Sequence, residues 1–221
     1  MTVHVPCRAL LFDADGVLVD SDASVKLSWT RWAERWGLSP ADVYATVHGR
    51  RSADTVALLI DLANQQAALA DIDRYEIEDA DDVTACPGAS DILAGLPVGS
   101  WAVVTSGTRP LATARLAAAG LPAPSVLITA DDVHVGKPDP AGYRAAARQL
   151  DVPIEECLVL EDSPAGLAAG IAAGARVLGV SDRALAAGAD IVVRDLAGCT
   201  WVGDAVSIEP TALLTGQSEV S

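Results

Sequence analysis

The sequence predicts an α/β protein: a Rossmann-like parallel sheet flanked by helices, with a small α-helical cap domain inserted. Three observations carry this expectation. Short apolar runs at 101–104, 125–128, 157–160, 175–180 and 190–193 alternate with helical stretches at 88–95, 108–119, 140–150 and 164–174. That alternation is the pattern of strands joined by crossover helices. One more apolar run, 8–12, stands alone near the start. Between it and the alternating region, residues 17–86 read mostly as helix, and Cys86-Pro87-Gly88 punctuates the return. The expected organisation is an α/β core of 1–16 and 87–221 with a cap of 17–86.

Taken in order, 8–12 reads as a buried strand. The stretch 22–36 reads as a helix, and its Trp29, Trp32 and Trp36 fall three and four apart on one face, so they pack the cap rather than stack on a ligand. Residues 52–66 and 67–80 also have helical patterning, and the dense acids of 71–82 suggest a solvated face. Gly166, Gly170 and Gly174 recur every fourth residue in an alanine-rich helix, a pattern for close helix–sheet packing. No Gly-x-Gly-x-x-Gly follows a strand, so this is not a dinucleotide fingerprint. The polar tail after about 208 is expected to be loose.

Composition narrows the function classes. With 221 residues, 51% of them apolar, the chain is long enough for a sizeable core. No apolar run approaches the roughly 18 residues of a membrane span, and Met1 to Arg8 lacks the layout of a secretory signal. Cys7, Cys86, Cys157 and Cys199 show neither pairing rhythm nor metal-ligand spacing, which suggests reduced thiols in a cytoplasmic protein. A net charge of −15 argues against nucleic acid and anionic membranes as partners. It leaves room for a small anionic metabolite, because a metal and a few cations can reverse the field inside one cleft. The basic residues are thirteen arginines but only two lysines, Lys26 and Lys137. Lys26 carries no motif; Lys137 does.

Four segments carry chemistry. In Leu10-Leu11-Phe12-Asp13-Ala14-Asp15-Gly16, an apolar strand ends in two aspartates one residue apart, which share a face, and a glycine permits a sharp turn. Adjacent carboxylates repel unless a cation binds or one of them keeps its proton. One could attack phosphorus while the other serves as acid and base. In Trp101-Ala102-Val103-Val104-Thr105-Ser106-Gly107-Thr108, a strand runs into hydroxyl residues at a helix start, where a hydroxyl and backbone amides can face an anion. Gly136-Lys137-Pro138-Asp139-Pro140 is a stiff loop presenting one ammonium. Cys157-Leu158-Val159-Leu160-Glu161-Asp162-Ser163-Pro164 is another strand ending in acids, oxygen ligands of the kind Mg²⁺ takes.

Together these segments, in this order, resemble the four motifs of the haloacid dehalogenase-like hydrolases, most of which are phosphatases. The resemblance implies Asp13 as nucleophile, Asp15 as acid/base, and Thr105, Ser106 and Lys137 as phosphate-holding groups. It implies Mg²⁺ held by the Asp13 carboxylate, the Asp15 carbonyl and Asp162, with Glu161 assisting. Within the family, His48-Gly49-Arg50-Arg51, the run Trp101 to Arg109, and Glu161-Asp162-Ser163-Pro164-Ala165-Gly166 look like the glycerol-phosphate and 2-deoxyglucose-6-phosphate phosphatases. One or two of His48, Arg50 and Arg51 are expected to face the cleft and grip a phosphate or a sugar hydroxyl, with Arg109 doing the same from the core. The expected activity is Mg²⁺-dependent hydrolysis of small sugar or polyol phosphate monoesters through an aspartyl-phosphate, by a monomer or a small homo-oligomer. A phosphomutase of the β-phosphoglucomutase type is the alternative. A dehalogenase would not need Asp15 and Asp162. A phosphonate hydrolase would need an imine-forming cap lysine, and Lys26 is the one lysine there. A non-catalytic binding protein would have no use for the intact polar set.

Overall fold

The computed structural model describes residues 2–189 and 191–214. In chain order its strands and main helices are β1 (Val3–Pro6), β2 (Ala9–Phe12), β3 (Val19–Asp20), α1 (Asp22–Arg35), α2 (Pro40–Tyr44), α3 (Ser52–Leu59), α4 (Gln65–Glu78), β4 (Thr84–Ala85) and α5 (Ala89–Ala94). The second half adds β5 (Trp101–Val104), α6 (Arg109–Ala118), β6 (Leu127–Ile128), α7 (Ala141–Leu150), β7 (Cys157–Glu161), α8 (Pro164–Ala173), β8 (Arg176–Val180), α9 (Ser181–Ala186), β9 (Val192–Val193), β10 (Cys199–Trp201) and β11 (Ala205–Ile208).

The central sheet has the order β6-β5-β2-β7-β8-β9, and every neighbouring pair is parallel. Helices cover both faces, so β2, β5 and β7 are buried along their whole length. That explains their continuous apolar runs in place of alternation. Leu10, Phe12, Val103 and Leu158 pack one face and Leu11, Ala102, Val104 and Val159 the other, the second against Tyr143 and Ala146 of α7. β2 lies between β5 and β7, so the order of connection reverses beside it. A crevice opens there, outside the strands' carboxyl ends.

Between β3 and β4 the chain forms α1–α4. These helices hold a hydrophobic cluster of their own around Trp29, Trp32 and Ile72. The tryptophans pack edge-on and tilted against one another, as their spacing predicts. β3 and β4 pair antiparallel, Val19 opposite Ala85, so exit and return run side by side. The helical stretch 52–80 breaks at Ile60–Asn64 instead of at 66, because Ile60 is extended and a short 3-10 turn precedes α4.

Two sequence expectations need correction. Residues 3–6 and 199–208 form a separate antiparallel sheet of order β1-β11-β10, which the sequence reading did not contain. The tail is also not loose from 208. Ala212 is buried, the Arg194 N–H donates to its carbonyl and the Leu214 N–H donates to Val192, so the chain is docked to 214. The remainder of the expected loose tail, 215–221, lies outside the described residues. All four cysteines are free thiols. Among the described residues no helix is long and apolar enough to cross a membrane.

Candidate active site

The crevice at the end of β2 collects the predicted motifs. β2 ends where the Asp13 N–H donates to the Leu160 carbonyl of β7, which fixes Asp13 between the two strands. Gly16 follows at φ +80°, and a Cβ there would lie 2.2 Å from Asp162 Oδ2. Glycine is therefore what lets the chain turn beneath that carboxylate. Asp15 Oδ1 accepts from Ser21 Oγ at 2.6 Å and from Arg115 Nη1 at 2.9 Å.

Lys137 reaches into the crevice, although its loop follows none of the long strands. Its ammonium donates to Asp13 Oδ1 at 2.6 Å, Glu161 Oε1 at 2.5 Å and the Val104 carbonyl at 3.1 Å. Asp139, two residues on, accepts instead from the Ala141 N–H. Glu161 is fully buried and also accepts from Tyr143 Oη, from the Ser163 N–H and from Ser163 Oγ. α8 begins against this carboxylate, and a Cβ at Gly166 would lie 1.7 Å from Glu161 Oε1. Gly170 packs the same helix onto Val159 and Val177, so one glycine serves the site and the other the sheet.

Thr105 and Ser106 lie across the crevice with Asp13, Asp15 and Asp162. Thr105 Oγ1 accepts from the Gly107 N–H, and Ser106 Oγ donates to the Gly49 carbonyl. The cleft encloses about 630 Å³, its open mouth included. His48 and Arg50 line it as well. His48 packs edge-on against Tyr44 and touches Arg183; burial and that guanidinium both lower its pKa.

Two predicted cations sit elsewhere. Arg51 pairs bidentately with Asp54 and donates to the carbonyls of Val133 and His134, so it ties the helical insert to the β6–α7 loop instead of facing the carboxylates. Arg109 is half-exposed, bound to Asp132 and the Leu127 carbonyl, and lies outside the cleft.

The acidic stretch 71–82 is not simply a solvated face. Asp71 pairs with Arg35 and Arg74, Asp79 with Arg31, and Glu76 is buried in the wall of the cleft. Sequence reasoning missed Glu76, Arg115 and Arg183. The first two left a signal. Glu76 continues the buried stripe Ala68–Ile72, four residues on, and Arg115 stands on the apolar face of α6 with Leu111, Ala112 and Leu116. A charge on a buried stripe indicates a partner. Arg183 left none; it binds Asp162 at 3.0 Å and Asp22 at 3.1 Å from α9.

Carboxylates crowd this site. Oxygens of Asp13, Glu161 and Asp162 lie within 4.8 Å of one another. Burial, and then Glu161, push Asp13 well above the usual carboxylate range against the pull of Lys137. Asp162 is pushed up to about 7, again by burial first and Glu161 second. Burial lowers Lys137, but Asp13 and Glu161 outweigh it and hold the ammonium's pKa above its ordinary value. A close set of hard oxygens short of positive charge fits a cation such as Mg²⁺. Asp13 and Asp162 open on the cleft, and Glu161 stands behind Lys137.

This crowding has a measurable sign. Between the ordinary 3.8 and about 7, folded Asp162 keeps a proton that the unfolded chain has released. Without a cation, stability therefore falls as pH rises through that window. A divalent cation held by the ionised set would relieve the cost. Added Mg²⁺ is expected to raise Tm more at about pH 7.5 than at about pH 5. Equal shifts at both would count against a cation site here.

Comparison with known proteins places this geometry. A family model described as haloacid dehalogenase-like hydrolase matches residues 7–174. Hexitol phosphatase A of Escherichia coli (strain K12) is 41% identical over 183 residues, covering 79% of this chain and 83% of that protein. Glycerol-1-phosphate phosphohydrolase 2 of Saccharomyces cerevisiae is 33% identical over 205 residues, covering 85% and 82%. The crystal structure of a hydrolase from Pseudomonas syringae superposes with a TM-score of 0.78 at 27% identity, covering 87% of this chain and 95% of that one. With the motif order, the parallel sheet and the carboxylate-lined crevice in agreement, the chain belongs to the haloacid dehalogenase-like hydrolases.

Proposed function

We propose that this protein is a Mg²⁺-dependent phosphatase that hydrolyses small sugar or polyol phosphate monoesters through an aspartyl-phosphate intermediate. The observation that carries the reading is one cleft, at the point where the strand order reverses, onto which Asp13, Asp15, Thr105 and Asp162 all open. Lys137 stands 2.6 Å from Asp13 at its back. The named activities of hexitol phosphatase A and glycerol-1-phosphate phosphohydrolase 2 support the substrate class.

In this reading an Asp13 oxygen forms the new bond to phosphorus as the ester P–O bond breaks. Asp15, aimed by Ser21 and Arg115, gives its proton to the departing alkoxide. Thr105, Ser106 and Lys137 hold the phosphoryl oxygens. Asp15 then takes a proton from water, whose oxygen attacks the aspartyl-phosphate, and phosphate leaves with Asp13 restored. Asp13, Asp162 and the Asp15 carbonyl would hold Mg²⁺, and Glu161 fixes Lys137 beside them. Bound there, the ion supplies positive charge against the phosphoryl oxygens.

The same reading divides the chain into a core of 1–16 and 87–221 and a cap of 17–86, with Asp20–Ser21 and Cys86–Gly88 as hinges. The separate hydrophobic cluster of α1–α4 and the two-stranded β3–β4 stalk support that division. The cap is drawn onto the core by Arg51 and by the Ser106–Gly49 bond, and closure of this kind excludes water.

A panel of phosphorylated metabolites, assayed for phosphate release with Mg²⁺ and again in EDTA, tests the proposal. Steady release from polyol or sugar phosphates, silenced by EDTA and restored by Mg²⁺, is expected. An isomeric phosphate ester without free phosphate would make the protein a phosphomutase. Full activity in chelator would remove the metal.

A further inference from the structure

Beyond the reacting groups, the cleft wall holds buried polar atoms that the chemistry above leaves unpaired. Glu76 of α4 is 5% exposed; its Oε2 accepts from Ser52 Oγ at 3.0 Å. Its Oε1 lies 3.5 Å from Arg115 Nη2, which has no hydrogen-bond partner among the described residues. Arg115 is 3% exposed, and its Nη1 is taken by Asp15, but its Nε is also unpartnered. Trp29 Nε1 is buried without a partner too. Glu76, Ser52, Arg115 and Trp29 all line the cleft.

Buried donors and acceptors left unpaired are costly and rare. This wall offers unpartnered donors beside a carboxylate with acceptor capacity to spare. A hydroxyl group answers both, accepting from Arg115 or Trp29 and donating to Glu76, whereas a carboxylate can only accept. Charge separates the two further. One guanidinium faces two carboxylates, Asp15 and Glu76. With Asp15 carrying the proton it gives to the leaving group, Glu76 alone cancels the guanidinium, so the wall has no positive charge to spare and a second anion brought here meets the Glu76 carboxylate away from water. Because Arg115 touches Asp15, which faces the leaving oxygen, the wall begins immediately beyond the phosphoester.

We propose that Glu76, with Arg115 and Ser52, is a specificity-determining residue that admits an uncharged, hydroxyl-bearing tail and excludes a tail carrying a second anion. The inference rests on the phosphatase reading and narrows its substrate class.

Racemic glycerol 1-phosphate and 3-phosphoglycerate test it, since one three-carbon skeleton ends in a hydroxymethyl group and the other in a carboxylate. p-Nitrophenyl phosphate serves as a reference ester. The wild-type kcat/KM is expected to favour glycerol 1-phosphate by about 100-fold or more. Glu76→Gln is expected to shrink that preference by about tenfold or more, lowering kcat/KM for the polyol ester and raising it for the phosphoglycerate. A purely structural Glu76 would lower both together, and an unchanged ratio overturns the proposal. If Glu76→Gln does not fold, Ser52→Ala, which removes only the hydroxyl donated to Glu76, should narrow the ratio several-fold; no change there is equally fatal. A wild-type enzyme that uses both esters within about threefold refutes the proposal and leaves the phosphatase reading standing. Phosphate release from none of the three removes both.

Discussion

Asp13→Asn is expected to lower turnover by roughly 10³-fold or more without loss of the fold. The carboxamide has the same volume, and its oxygen can still accept from Lys137, which stands 2.6 Å from Asp13 Oδ1. What it cannot do is form the bond to phosphorus. Stability should move the other way. Asp13 is held well above the usual carboxylate range by burial and by Glu161, so a neutral group there relieves the crowding with Glu161 and Asp162. In chelator, Asp13→Asn is therefore expected to melt at or above the wild-type temperature while being inactive. Single-turnover kinetics beside a thermal melt would decide this. Activity within tenfold of wild type would remove Asp13 as the nucleophile, and a large drop in Tm would make it a structural residue.

Lys137→Met carries the second large effect, and here activity and stability fall together. The ammonium gives hydrogen bonds to Asp13, Glu161 and the Val104 carbonyl, and all three donors are used. Its removal leaves two buried carboxylates without their cation. Breaking a buried pair in this way costs about 3–5 kcal/mol, and loss of a phosphoryl-holding donor costs about 10²–10³ in kcat. The pH dependence follows from the shifts. Lys137 has its folded pKa raised above the ordinary 10.5. Its own contribution is therefore fully present below that value and lost only as pH climbs through the folded pKa. Asp162 regains its proton as pH falls through about 7, and Asp13, also raised, moves in the same direction. The stability gap between wild type and variant should thus be wide near neutrality and narrow in acid. Denaturant midpoints at several pH values measure it. A gap under about 1 kcal/mol near neutral pH would contradict the role assigned to the ammonium.

The sequence by itself determined the sheet and the polarity of the site. β2, β5 and β7 are readable because a strand buried on both faces needs an unbroken apolar run. Parallel strands share one direction, so Asp13, Thr105 and Asp162, each written just after such a run, gather at the same edge. Only the tertiary structure decided the partners. Arg115 meets Asp15 across 100 positions and Lys137 meets Asp13 across 124. Nothing local distinguishes Arg183, which reaches the crevice, from Arg109 on the surface or Arg51 tied to Asp54 and the Val133 carbonyl. The β1–β11 ladder was hidden for the same reason, since its partners lie at opposite ends of the chain. Periodicity reports which face of an element is buried. Which charge meets which, and so what Glu76 can read of a substrate, depends on how the helices of the insert settle over the cleft, and that is fixed by packing between segments far apart in the chain.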